Sequence, residues 1–214
     1  MDDNIIGEVS FKFNSRFSQL IGRNLISNPI VAVSELVKNA YDADANNINV
    51  EFKNILSDTS ILTITDDGEG MSFNDIATKW MMVGTDNKVH TPFTTKGRRK
   101  LGEKGIGRFS VERLAKKMIL TSTKKGDDFS ISFLIDWDTY ETYNGEFSEL
   151  KHKVIKNPCD VNLQGTTIVL EELRDFWGKD ELLDLQKELE MLRPLDINKV
   201  SYKKYKFSGN EVKI

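Results

Sequence analysis

Cysteine is almost absent from this sequence. Cys159 is the only one among 214 residues, so neither an intrachain disulfide nor a cysteine-based zinc cluster can form. It lies in the turn-like run Asn157-Pro158-Cys159-Asp160 and reads as an inert thiol. Long apolar runs are missing too: a stretch such as Ile30 to Val33 falls far short of the ~20 residues that cross a bilayer. The start, Met1-Asp2-Asp3-Asn4, lacks the basic residues of a signal peptide, so the chain is read as cytoplasmic, with no membrane contact. Nor is there an excess of one charge. Thirty Lys and Arg against 33 Asp and Glu leave −3, which offers nucleic acid no global attraction and restricts any such contact to a local patch. No segment repeats at a period of about 20 to 50 residues, which argues against solenoids and propellers.

What is present is an ordinary globular composition, 39% hydrophobic and 29% charged, sufficient for a real core. At about 150 residues per domain the length predicts one large domain, or one with a short appendage. Asn28 before Pro29 is an N-cap and first-turn signal, and Ile30, Val33, Leu36, Val37 and Ala40 follow at helical spacing, predicting a helix over 29–42. A shorter amphipathic segment is expected over 17–23. Residues 48–52 and 61–65 read as strands, and Ser72 caps a helix carrying Phe73, Ile76, Ala77 and Trp80. Between Gly84 and Gly107 the periodicity vanishes, and five glycines stand among Lys, Arg and Thr. A structureless loop of more than ~15 residues inside a domain demands a function. A helix over 106–115, strands over 117–123, 129–135, 151–156 and 166–170, and a helix bearing Leu182, Leu185 and Leu189 complete an α+β pattern: helices over a mixed, largely antiparallel sheet. Residues 1–195 are expected to form the domain, and 196–214 an extension that could begin a second one.

Familiar phosphate motifs fail. Gly178-Lys179 is followed by Asp180, so there is no Walker loop, and Gly68-Glu69-Gly70 lacks the third glycine of a dinucleotide fingerprint. His90 and His152 have no partner at metal-ligand spacing, and both read as edge or solvated histidines. The informative residues lie elsewhere. Glu35, Asn39 and Asp42 share one face of the 29–42 helix, which is either its solvent side or a carboxylate able to activate water beside an amide oxygen able to bind Mg²⁺. Asp66-Asp67-Gly68-Glu69-Gly70-Met71 follows a strand, and is either a plain turn or a backbone that a flat ligand approaches closely. A carboxylate at that strand end would accept from the amino group of adenine, where guanine presents an oxygen. Gly102, Gly105 and Gly107 lead into a helix whose exposed amides suit phosphate, with Lys96, Arg98, Arg99, Lys100, Lys104 and Arg108 around them. Gly165-Thr166 opens a β-branched strand.

Taken in order, Glu-x-x-x-Asn-x-x-Asp-Ala at 35–43, Asp-x-Gly-x-Gly-Met at 66–71, Gly-x-x-Gly-x-Gly at 102–107 and Gly-Thr at 165–166 resemble the four motifs of the GHKL ATPase superfamily. That superfamily comprises gyrase B, heat-shock chaperones, histidine kinases and MutL, with the MORC ATPases related. The resemblance covers roughly residues 20 to 172 and implies a Bergerat-type two-layer α/β sandwich that binds ATP and Mg. By it, Glu35 is the catalytic base, Asn39 ligates Mg, and Asp42 supports the nucleotide by hydrogen bonding. Asp66 takes the adenine amino group, with Gly68, Gly70 and Met71 at the pocket wall. Gly102, Lys104, Gly105, Ile106 and Gly107 meet the phosphates, Thr166 helps hold Asp66 and a water, and residues 84–107 form a lid.

The run Asn39-Ala40-Tyr41-Asp42-Ala43 is similar to the MutL, chaperone and MORC branch. No histidine precedes the first motif, which disfavours a histidine kinase in itself and leaves only a protein kinase acting on a separate partner. The resemblance further implies a homodimer when ATP is bound, coupling to a downstream domain, and slow hydrolysis here, because the basic residue completing the γ-phosphate site comes from such a domain. The competing reading is a nucleotide-gated interaction module without significant turnover. The lack of interleaved aromatics over 96–108 argues against nucleic-acid stacking.

Overall fold

The computed structural model describes residues 4–13, 28–83, 92–101, 110–144, 147–192, 207–208 and 211–213. Helix α1, Pro29–Asp42, has the expected boundaries: the Asn28 side chain accepts from the Ile30 amide at 2.8 Å, and Pro29 occupies the first turn. Ala32, Val33, Leu36 and Ala40 are buried along it. The segment expected over 17–23 lies outside the described residues.

The strands are β1 Ile5–Val9, β2 Lys12–Phe13, β3 Ile48–Lys53, β4 Ile61–Asp66, β5 Met82–Val83, β6 Ala115–Thr123, β7 Phe129–Asp136, β8 His152–Pro158, β9 Gly165–Leu173, β10 Phe207–Ser208 and β11 Glu211–Lys213. Nine of them build one sheet in the order β1-β8-β7-β6-β9-β4-β3-β11-β10, every neighbouring pair antiparallel. Parallel pairing is confined, among the described residues, to the short β2–β5 contact. Residues 211–213 pair with β3 and so extend this same sheet.

Alternation explains why one face is covered. Leu62 and Ile64 on β4, Met118 and Leu120 on β6, and Ile131, Phe133 and Ile135 on β7 are buried, while the residues between them are not. Period-2 burial of this kind marks an antiparallel sheet packed on one side. The inward side chains join α1 and the helices α3, Ser110–Leu114, and α5, Lys179–Met191, in one core. Ser72 forms a reciprocal capping box with Asp75 and starts a single turn, α2 Phe73–Asp75, which passes into a π-helical stretch, Ile76–Trp80. Its Trp80 packs against Phe11 and Phe133. Helix α4, Trp137–Thr142, follows β7 directly.

The helix expected over 106–115 is shorter at its C-terminal end than its pattern suggested. Ala115 already pairs with Leu173, because β9 runs three residues further along β6 than the β-branched stretch alone indicates. Arg113 reinforces the junction through two hydrogen bonds to the Asp175 carboxylate.

Candidate functional site

Antiparallel pairing brings the second and fourth motifs together. Asp66, the last residue of β4, stands opposite Thr166 on β9, and Ser122 on β6 also faces Thr166. The Asp66 Oδ1 accepts from the Gly68 amide at 2.8 Å. Burial pushes the Asp66 carboxyl up to about 6, the Gly68 and Thr166 amides opposing that rise only partly. The Thr166 hydroxyl shares a 3.0 Å hydrogen bond with the Ser122 hydroxyl, so it is the Thr166 amide that acts on Asp66. Ser122, fully buried, also accepts the Met71 amide at 2.8 Å. Sequence reading missed it, although a serine continuing the inward row Met118, Leu120, Ser122 is itself a signal of a polar site.

The glycines of this region are dictated by backbone packing. Gly70 has φ +64°, and a Cβ there would lie 1.8 Å from the Thr123 carbonyl oxygen; at Gly165, φ +121°, it would lie 1.9 Å from the Asp66 carbonyl oxygen. The Glu69 amide donates to the Ala43 carbonyl at 2.9 Å and the Lys125 amide to the Glu69 carbonyl at 3.1 Å. The 66–71 turn is therefore stapled between the end of α1 and the β6–β7 turn. Gly70→Ala should cost about 2 kcal/mol or more, because a left-handed backbone and a main-chain clash combine there. Urea unfolding of both proteins checks this, and a loss well under ~1 kcal/mol would contradict it.

Glu35, Asn39 and Asp42 are half-buried on one side of α1. Glu35 Oε1 accepts from Lys38 Nζ at 2.8 Å, with both side chains 21% exposed. Asp42 Oδ1 accepts from the Leu101 amide at 2.8 Å, joining α1 to the residue before the third motif. Gly102, Lys104, Gly105, Ile106 and Gly107, with residues 84–91 of the expected lid, lie outside the described residues.

The described part of that loop, residues 92–101, docks on the turn after α1. Helix α1 closes with the Asp44 amide donating to the Tyr41 carbonyl and the Ala45 amide to the Ala40 carbonyl, a Schellman cap. Its left-handed position, φ +61°, is held by Asp44, where glycine is usual. The Asp44 carboxylate, 2% exposed, accepts from the Thr94 hydroxyl at 2.5 Å, the Thr95 hydroxyl at 2.6 Å and the Lys96 amide at 3.0 Å. Burial by itself would raise this carboxyl, but those donors and Arg98 outweigh it and hold it below the ordinary aspartate value. Lys96 Nζ donates to the Asp44 carbonyl at 2.7 Å, and Arg98 to the Ala45 carbonyl and Asn46 Oδ1 while lying over the Tyr41 ring. Lys96 and Arg98, expected among the cations around the phosphates, are thus engaged by this turn. Carbonyls at a helix C-terminus attract cations.

His152 bonds the Tyr140 hydroxyl at 2.6 Å and is separated from β4 by β7, β6 and β9. Cys159 is half-buried, and its amide donates to the Asp128 carbonyl.

Residues 26–166 match the family model described as "Histidine kinase-, DNA gyrase B-, and HSP90-like ATPase". Among curated proteins, the chain is 34% identical over 175 residues, 81% of its length, to a putative type II restriction enzyme HgiDII of Herpetosiphon aurantiacus. It is 36% identical over half its length to MORC family CW-type zinc finger protein 3 of Mus musculus. To the DNA mismatch repair protein MutL of Streptococcus equi subsp. zooepidemicus it is 33% identical over 53% of its length. The matched stretch makes up only 27%, 11% and 17% of those relatives. The matched region carries all four motifs, and its α+β framework sets Asp66 opposite Thr166; the chain belongs to the histidine kinase-, DNA gyrase B- and HSP90-like ATPase family.

Proposed function

We propose that this domain binds ATP with Mg²⁺ and hydrolyses it slowly to ADP and phosphate. The observation that carries the reading is the half-buried Asp66 carboxyl, clamped by glycine-only backbone at the end of β4. Such a group suits a ligand that offers it a hydrogen-bond donor, and the adenine amino group is one. Gly68, Gly70 and Met71 would line the base, and the amides of Gly102, Gly105 and Gly107, with Lys104 and Ile106, would meet the phosphates.

The donor set fits Mg²⁺. Asn39 offers an amide oxygen between two carboxylate-bearing turns of α1, and a hard cation prefers oxygen. Among the described residues no group of three or more His, Cys, Asp or Glu could hold a metal, which favours an ion held by Asn39 with phosphates and water over an all-protein cage. Bound there, the ion would neutralise phosphate charge. Glu35 would orient a water towards the γ-phosphorus and take its proton as the bond to the leaving ADP oxygen breaks. Its pairing with Lys38 is a half-buried i,i+3 contact worth about 1 kcal/mol or less, so Glu35 is released at small cost. Asp42 would support the site through its bond to Leu101.

Turnover would stay slow until a basic residue from a neighbouring domain completed the γ-phosphate site, and ATP would then couple loop closure to homodimerisation and to that domain. Glu35 argues against a purely nucleotide-gated module, since binding requires no base. The domain's site of action would be the cytoplasm. No described helix is long and apolar enough to cross a membrane. Calorimetric titration with ATP and GTP, with and without Mg²⁺, tests the reading, alongside light scattering with a non-hydrolysable ATP analogue. Mg²⁺-assisted binding of ATP in preference to GTP, and an analogue-induced dimer, are expected. Absence of ATP binding overturns the site, and a monomer under all conditions overturns the dimer.

A further inference from the structure

Asp44 has no part in the four motifs, yet its buried carboxylate is gripped by a segment distant in sequence. Three donors converge on its buried carboxylate from a segment fifty or more residues away. An anion removed from water in this way is tolerated only when its oxygens are fully hydrogen-bonded. The backbone points the same way. A left-handed aspartate at a helix cap carries a cost that glycine would avoid, so the side chain, rather than the cap, accounts for the residue.

The segment that Asp44 holds runs directly into the third motif. Thr94, Thr95 and Lys96 are bound by Asp44, Arg98 by Ala45 and Asn46, and Leu101 by Asp42. Gly102 is the next residue. The Thr95 hydroxyl also lies 2.6 Å from Glu69 Oε1, which its single proton serves in alternation with Asp44, so the same segment reaches the 66–71 turn. The two elements credited with the nucleotide, α1 and the Asp66 turn, thus both grip the chain just before the glycine run.

We propose that Asp44 is a positioning residue: its carboxylate pins residues 92–101 to the end of α1, and the affinity of the site for the phosphates of the nucleotide depends on that pinning. This rests on the ATP reading of the site. Asp44 acts through the loop and touches no part of the nucleotide, so its influence falls on the phosphates and leaves the adenine contacts of Asp66 alone.

Two variants isolate the carboxylate. Asp44→Asn keeps the shape but turns one acceptor into a donor facing hydroxyl and amide donors. Asp44→Gly suits the left-handed cap and removes the side chain, so it keeps the fold available if the asparagine protein is unstable. A third, Thr95→Val, deletes one donor without touching the cap. Each is compared with wild type by unfolding midpoint, by mass-mapped trypsin cleavage after Lys96, Arg98, Arg99 and Lys100 without nucleotide, and by affinity for ATP and for adenosine.

The expected result is faster cleavage at those four sites in both Asp44 variants and ATP affinity lower by about tenfold or more, the scale of a lost charge-assisted hydrogen bond. Adenosine affinity should stay within about twofold, since only phosphate contacts depend on the pinned loop. Thr95→Val should shift cleavage and ATP affinity in the same direction by less. Cleavage at the wild-type rate, or ATP and adenosine weakened equally, overturns the role of Asp44. Failure of the wild-type protein to bind ATP overturns the site reading itself, and this role with it.

Discussion

Glu35→Gln should lower ATP turnover by about two orders of magnitude or more, the range in which a positioned general base contributes. ATP affinity should change by less than about threefold, because the base acts on water and contributes little to ground-state binding. The amide keeps the size of the side chain and loses the ability to take a proton. It also breaks the ion pair with Lys38, a half-buried contact whose loss costs the fold about 1 kcal/mol or less. Turnover is therefore expected to fall without a comparable drop in unfolding midpoint. Single-turnover hydrolysis with the protein in excess is the measurement, since it separates chemistry from product release. Turnover within about threefold of wild type would remove Glu35 from the mechanism.

Asp66→Asn should have opposite effects on stability and on binding. The fold holds Asp66 at about 6, above the ordinary value of 3.8. A carboxyl whose pKa is raised on folding stabilises the folded chain below its unfolded pKa, and that contribution is lost as pH rises through the folded pKa. Near neutral pH the partly desolvated charge is thus a burden, of order 3 kcal/mol at most for a rise from 3.8 to about 6. The asparagine protein, uncharged at every pH, should be the more stable of the two at pH 8 in the absence of nucleotide. That advantage should shrink towards pH 4, and melting curves across this range check it. Adenosine binding should fall by about tenfold or more, because a donor amide replaces an acceptor against the adenine amino group. Wild-type affinity for adenosine should also weaken as pH drops through 6, and the variant should lack that dependence. A variant less stable at pH 8 that bound adenosine normally would refute both halves.

Much of this was legible beforehand because the signals were local. Asn28, Pro29 and the spacing of Val33, Leu36 and Ala40 placed α1 at its observed limits, since capping and helical period act within a few residues. The β-branched run over 61–65 placed β4, which continues one residue further to Asp66, for the same kind of reason. The end of the helix before β6 was not legible: Ala115 joins the sheet because Leu173 lies opposite it, a partner distant in sequence.

The sequence by itself determined that this chain carries the four motifs of its family, and which residue types stand in them. Those motifs survive as short patterns whose chemistry is carried by each side chain. Only the tertiary structure decided what holds them together. Ser122 bridges Met71 and Thr166, and glycine is forced at 70 by the Thr123 carbonyl and at 165 by that of Asp66. Lys96 and Arg98 serve the end of α1, and Asp44 anchors the loop ahead of Gly102. Each of these depends on groups 44 to 53 residues apart or on separate strands. Whether a buried polar group is satisfied depends on which partners the folded chain brings to it, and local sequence does not contain that information.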